Sequence, residues 1–188
     1  MPDRRGDLGL PPLPDYLRPG LQVVFIGFNP GERSARLGHY YAHPSNRFWW
    51  LLHQAGFTER RLPPEADATL PDLGYGLTDL VDRPSKSSGD LSGWELRDGR
   101  AALRAKLEAC RPRIACYNGK GIYRALGGRT EVAYGLQPAT PDSTYLEYVA
   151  ASPSGRSREP LALKLQLYQD LYALMQQGHL RHPPPLLI

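Results

Sequence analysis

A chain of 188 residues with 41% hydrophobic content is long enough to close one well-buried core, and one domain is the default. No run reaches the 18 or so uninterrupted apolar residues of a membrane helix, and the opening MPDRRGDLGLPPLP lacks the apolar centre of a secretory signal; a cytoplasmic protein is expected. The formal charge of +4 comes from arginine more than lysine, which suits bidentate phosphate contacts without establishing them. Cys110 and Cys116 are the only cysteines; they are too few to staple a fold, lack the paired spacing that holds zinc, and read as buried thiols.

In chain order, residues 1–19 are proline-rich without a sustained period and predict an extended arm laid on a domain over 20–180. LQVVFIG (21–27) is a continuous apolar run, the pattern of a strand buried on both faces of a parallel sheet. NRFWWLLHQAG predicts a helix capped by Ser45 or Asn46, stopped at Gly56, with Phe48, Leu51, Leu52 and Ala55 on one face. GYGLTDLV (74–81) is a second strand candidate. DGRAALRAKLEACRP carries Leu103 and Leu107 one turn apart and ends before Pro112. PRIACYN (112–118) is a third strand, followed by the short helix KGIYRALGG, and STYLEYVAAS (143–152) is a fourth. The last helix takes Pro160 in its first turn, stacks Leu163, Leu167, Leu171 and Leu174, and exits at Gly178. Residues 181–188, RHPPPLLI, read as a tail.

Strands alternating with helices predict an α/β fold, a single three-layer domain with a mostly parallel central sheet flanked by helices. In such sheets ligands bind beyond the carboxyl ends of the strands. The loops to inspect are therefore GFNPG, NGKG and SPSGRSR.

In GFNPG, Gly27 and Gly31 allow close backbone approach, Pro30 stiffens the turn and Asn29 is the polar group at the mouth. An Asn that only bonds its own turn is the plain alternative. The loop lacks the spacing of a dinucleotide or triphosphate cradle. In GHYYAHPSN, His39 and His43 are four apart, but Pro44 argues against the helix that would make them metal ligands; no metal and no cofactor are expected. A Tyr there can stack on a planar base or pack over the core edge. SPSGRSR is rigid at Pro153, flexible at Gly155 and tipped by Arg156 and Arg158, a build suited to clamping phosphates, entering a duplex, or capping the last helix.

Taken together, GFNPG, GHYYAHPSNRFW, GLTDLVDRPSKSSGDLS, RPRIACYNGKGIY, YGLQP and SPSGRSR resemble, in order and over about residues 20 to 175, the mismatch-specific uracil-DNA glycosylase and thymine-DNA glycosylase branch of the uracil-DNA glycosylase superfamily. The resemblance implies hydrolysis of the bond between deoxyribose and an aberrant pyrimidine. Asn29 would position the attacking water, Tyr41 would stack on the flipped base, and the backbone around Gly27 and Phe28 would read its edge. The segment with Ser154, Gly155, Arg156, Ser157 and Arg158 would enter the DNA, Arg156 at the wedge position. Two departures stand out: Ser152 replaces the Asn or Met that begins this loop in bacterial or animal members, and Arg156 replaces a bulky apolar wedge. The implied partner is double-stranded DNA carrying a mismatched or damaged pyrimidine, with the protein acting as a monomer.

Bond cleavage leaves positive charge on the sugar and negative charge on the pyrimidine, so donors aimed at the carbonyls stabilise the departing base. An amide can orient water but cannot take its proton, so slow turnover that depends on the leaving group is expected. Asp90, in SKSSGDLS, is the carboxylate singled out to assist, against the alternative that it caps the following helix; Asp79 and Asp82 near a strand end stand behind it. Arg33, Arg36, Lys86, Lys120, Arg156 and Arg158 lie near the mouth and would contact phosphates. Two rival readings are a noncatalytic lesion sensor and a small-molecule nucleosidase.

Overall fold

The computed structural model describes residues 6–127, 131–139 and 143–177. Five strands, β1 (Val23–Gly27), β2 (Tyr75–Asp79), β3 (Ile114–Asn118), β4 (Gly135–Leu136) and β5 (Leu146–Ala150), form one sheet in the order β2-β1-β3-β5-β4. The first four strands in that order run parallel and β4 pairs antiparallel with β5. The helices are α1 (Glu32–Leu37), α2 (Phe48–Ala55), α3 (Gly93–Cys110), α4 (Lys120–Gly127) and α5 (Leu161–Gln177), with 3-10 turns at Pro64–Leu73 and Ser88–Asp90. The expected α/β architecture is therefore observed. No described helix is long and apolar enough to cross a membrane.

Alternation along the strands divides the core into two layers, because successive side chains point to opposite faces. Phe25, Leu77, Cys116 and Tyr148 pack with Phe48, Leu51 and Leu52 of α2 and Tyr168 and Leu171 of α5. Val24, Ile26, Ala115, Tyr117 and Val149 pack with Leu103 and Leu107 of α3 and Ile122 of α4. The first layer is aromatic at its centre: the Phe25 ring meets Phe48 edge-on at 5.3 Å and lies parallel to Tyr168 at 6.1 Å. Both cysteines are buried and free.

Several elements differ from expectation. The leucine stripe drawn through α5 is displaced: Leu163 is exposed, and the buried face runs through Lys164, Leu167, Tyr168, Leu171 and Met175. Helix α3 begins earlier than the sequence pattern, at Gly93, because Ser92 and Glu95 form a capping box. Helix α2 starts at Phe48, and Asn46 contributes by accepting from the Phe48 amide at 2.9 Å. Before β1, Tyr16 bridges Leu77 on the free edge of β2 through two backbone hydrogen bonds of 2.9 and 3.1 Å, which covers an edge otherwise open to pairing. The terminal tail, 181–188, lies outside the described residues.

Candidate active site

The register of the sheet assembles the site. Gly27 pairs with Asp79 on β2, and Asn118 pairs with Ala150 on β5; one step earlier, Ile26 of β1 pairs with Tyr117 of β3. Asp79, Gly27 and Asn118 thus stand side by side at the carboxyl edge of three adjacent strands. Beyond them the GFNPG, NGKG and SPSGRSR loops, together with 40–46 and 85–88, line a cavity of about 930 Å³. A smaller hollow of about 440 Å³ adjoins it and shares Arg33, Tyr41, His43 and Asn46.

Asn29 is held from one side. Its Nδ2 donates to Ser85 Oγ at 2.8 Å, to the Arg83 carbonyl at 2.9 Å and to the Pro30 carbonyl at 3.3 Å. Carbonyls only accept, so these partners fix which end of the amide is nitrogen and leave Oδ1 as an acceptor for a water proton. The Ser85 hydroxyl in turn donates to the Ser87 carbonyl at 2.7 Å. The loop that supplies these partners is anchored by the nearly buried Arg83–Glu95 ion pair, whose hydrogen bond holds the Glu95 carboxyl down at about 2.

Asp79 forms the floor of the cavity. A Cβ at Gly27 would stand 2.0 Å from Asp79 Oδ1, so only glycine leaves room for the carboxyl. Asp79 is 6% exposed, and no hydrogen-bond donor among the described residues reaches its carboxyl. Burial, reinforced by Asp15 and Asp82 and opposed by Lys106, pushes its pKa up to about 8. Glu32, the other carboxylate lining the cavity, is paired with Arg36 at 2.8 Å.

Asp90 lies elsewhere. It closes a turn of its own, accepting from the Ser87 amide at 3.0 Å within a capping box, and is not among the residues lining the cavity. Helix α3 is capped by Ser92 instead of Asp90.

Tyr41 is fixed from both ends. Its backbone is left-handed, with φ +54°, a conformation that costs a bulky residue on the order of 1 kcal/mol or more and persists only when its surroundings impose it. Those surroundings are visible: the Tyr40 amide donates to Asp67 at 3.0 Å, and the Ala42 amide donates to Ser34 Oγ at 3.1 Å. One face of the Tyr41 ring stacks on Phe48 at 4.0 Å, and its hydroxyl accepts from Asn118 Nδ2 at 2.9 Å. The Asn118 oxygen accepts from the fully buried Tyr168 hydroxyl at 2.8 Å.

The 152–158 loop is built on similar principles. Gly155 packs so closely that a Cβ would lie 2.4 Å from Ser45 Oγ and 2.8 Å from the Ser45 carbonyl. The Arg47 amide donates to the Pro153 carbonyl at 2.8 Å, and the buried Lys164 ammonium donates to the Ser154 carbonyl at 3.0 Å. Ser152 and Ser154 accept from the amides two residues on, at 3.3 and 3.2 Å. Ser157 donates to Glu159. Arg156 crosses the mouth and donates from Nη1 to the Lys86 carbonyl at 2.9 Å. Arg158 is exposed, and Lys120 sits over the Tyr134 ring at 4.0 Å; neither lines the cavity. The Phe28 ring packs beside Gly121 of α4, and the Gly27 and Phe28 carbonyls accept from the Leu80 and Val81 amides. His39 reaches Asp67 and His43 reaches Ser45; among the described residues no group of three or more His, Cys, Asp and Glu is arranged to hold a metal.

The mostly parallel sheet thus ends in a cavity with a buried carboxyl at its floor and an oriented amide at its mouth. The chain belongs to the uracil DNA glycosylase superfamily, whose family model matches residues 14–176. That membership supports a DNA glycosylase, a hydrolase acting on N-glycosyl bonds. Among solved structures the chain is similar to a solution structure of a candidate uracil DNA glycosylase from Methanosarcina acetivorans. The TM-score is 0.57 and the identity 20%, with 90% of this chain and 98% of that one covered; at that identity the likeness bears on the fold. Sequence reasoning placed Asp79 behind Asp90 and did not single out Asn118, Tyr168 or Lys164. Only strand register and tertiary packing bring these to the site.

Proposed function

We propose that this protein removes uracil mispaired with guanine from duplex DNA, and thymine or other damaged pyrimidines more slowly, by hydrolysis that leaves an abasic site. The observation that carries the reading is the pairing of Asn29, whose oxygen alone is left for water, with Asp79, an unpaired carboxyl in the same cavity. The target base is taken out of the stack, at a cost lowest for a mismatched pair, and enters the cavity. Its edge lies against the backbone of Gly27 and Phe28 and against Ser152, with Tyr41 beside it. As the C1′–N1 bond breaks, its electron pair moves into the pyrimidine and positive charge develops on the sugar. Water held by Asn29 adds to C1′ and gives its proton to ionised Asp79, which supplies the base that an amide cannot.

Arg33, Arg36, Lys86 and Arg156 rim the cavity and hold the flanking phosphates, while Arg156 exchanges the Lys86 carbonyl for the duplex. The test is base release from duplexes carrying uracil, thymine, 5-hydroxymethyluracil or ethenocytosine opposite G or A, and from single strands. Release of uracil opposite G ahead of uracil opposite A is expected. Tight binding to a G:U duplex with no abasic product would replace this reading with a lesion sensor, and release from free nucleosides would replace it with a nucleosidase.

A further inference from the structure

We propose that the Tyr41 hydroxyl is a hydrogen-bond donor to a carbonyl oxygen of the departing pyrimidine, aimed from the protein interior by Tyr168 and Asn118. This rests on the glycosylase reading above and gives Tyr41 a role that its ring alone does not explain.

The hydrogen bonds behind Tyr41 all run in one direction. Tyr168 is fully buried, and its hydroxyl donates to Asn118 Oδ1 at 2.8 Å. The Cys116 thiol faces the same oxygen at 3.8 Å. With its oxygen held toward the core, Asn118 must present its NH2 outward, where one N–H is given to the Tyr41 oxygen at 2.9 Å. The Tyr41 oxygen is therefore an acceptor on its inner side, and its own O–H is left to donate forward. Each bond in this chain points toward the cavity, and bonds aligned in series polarise one another, which makes the last O–H a stronger donor than an isolated phenol.

The space ahead of that O–H is the site. The point above Gly27 where a Cβ would stand is 3.4 Å from the Tyr41 oxygen and 2.0 Å from Asp79 Oδ1. Tyr41 and Asp79 thus converge on one spot at the cavity floor. When the C1′–N1 bond breaks, the electron pair passes into the ring and onto its carbonyl oxygens. A fixed neutral donor there stabilises the anion without losing its proton. Burial, with Asp79 adding to it, raises the Tyr41 pKa and keeps the phenol protonated. Tyr41 would touch the substrate and is a catalytic residue in this account; Asn118 and Tyr168 are positioning residues.

The test uses the full chain and two substitutions that remove only an oxygen. Tyr41→Phe keeps the stack on Phe48, and Tyr168→Phe keeps the parallel contact with Phe25. Single-turnover rates are measured on 5-fluorouracil, uracil and thymine opposite G. Tyr41→Phe is expected to lose about 10²-fold on uracil, more on thymine and less on 5-fluorouracil, because a donor to the leaving anion matters most where the anion is poorest. Tyr168→Phe should show a smaller loss with the same gradient and unchanged affinity for an abasic duplex, which a merely structural defect would not produce. An equal loss on all three bases, no loss in Tyr41→Phe, or a shift only in the pH profile attributable to Asp79 would overturn the proposal. Titration of free uracil into the protein bound to an abasic duplex separates the two claims. If the natural chain releases no base, the glycosylase reading fails, and tenfold weaker uracil binding by Tyr41→Phe would still support the donor whereas equal binding would refute it.

Discussion

Replacing Asp79 with Asn should make the protein more stable and less active at once. The carboxyl is pushed up to about 8 from an ordinary 3.8, with burial the leading cause. Below pH 3.8 it is protonated in the folded and unfolded chain alike and has no effect on stability. Between pH 4 and 8 the unfolded chain has released the proton while the folded chain still binds it, so stability falls as pH rises, by about 1.36 kcal/mol per unit. At pH 7 the accumulated loss is about 4 kcal/mol, and it levels off once the folded carboxyl ionises near 8. A neutral side chain of the same shape escapes that loss. In a chain of this length 1 kcal/mol corresponds to roughly 2–4 °C, so Asp79→Asn should raise Tm by roughly 10 °C at pH 7 and leave it unchanged at pH 4. Activity should move the other way. If ionised Asp79 takes the proton from water, the single-turnover rate of the natural chain climbs with pH to about 8 and then flattens. The Asn variant should be flat and lower by about 10² to 10⁴. Scanning calorimetry across pH and a pH–rate profile check both halves. A variant that melts lower than the natural chain at pH 7, or that keeps the rising limb of the profile, would refute the reasoning.

Asp90→Asn should retain the full single-turnover rate, because Asp90 accepts from the Ser87 amide and stands outside the cavity lining. Gly155→Ala should lower DNA affinity and stability together, since its methyl would meet the Ser45 backbone carbonyl at 2.8 Å; a filter-binding titration with a melting curve checks this. Lys164→Met should stabilise the helix face by removing a buried cation whose pKa burial lowers, yet weaken DNA binding by freeing the Ser154 carbonyl that the ammonium holds at 3.0 Å. Unchanged DNA affinity would deny Lys164 that role.

The parts of this molecule that could be read from sequence are those whose cause is local. The run from Val23 to Gly27 is apolar throughout because both of its faces are covered, and the same logic located the loops that line the cavity. Helix α5 shows where local reading fails. Four leucines suggested one stripe, but the buried face admits Lys164, because a distant carbonyl satisfies its ammonium, and leaves Leu163 in solvent. Two residues of β4 carry too little pattern to announce a strand, and their pairing with β5 defines them. The carboxylates are a similar case. Asp79 and Asp90 are both acids near strand or loop ends in sequence, and only the pairing of Asp79 with Gly27 shows which one meets the cavity. Asn118 and Tyr168 lie 50 positions apart, and nothing in the chain order hints that one orients the other.

The central claim is that Asn29 aims water at the sugar of a flipped base. Abasic-site formation on a G:U duplex under single-turnover conditions, by the natural chain and by Asn29→Ala, tests it most directly. The account predicts uracil release by the natural chain and a loss of about 10²-fold or more in the variant, with DNA affinity unchanged. A G:U duplex bound but left intact by the natural chain, or cleaved equally fast by Asn29→Ala, would contradict it.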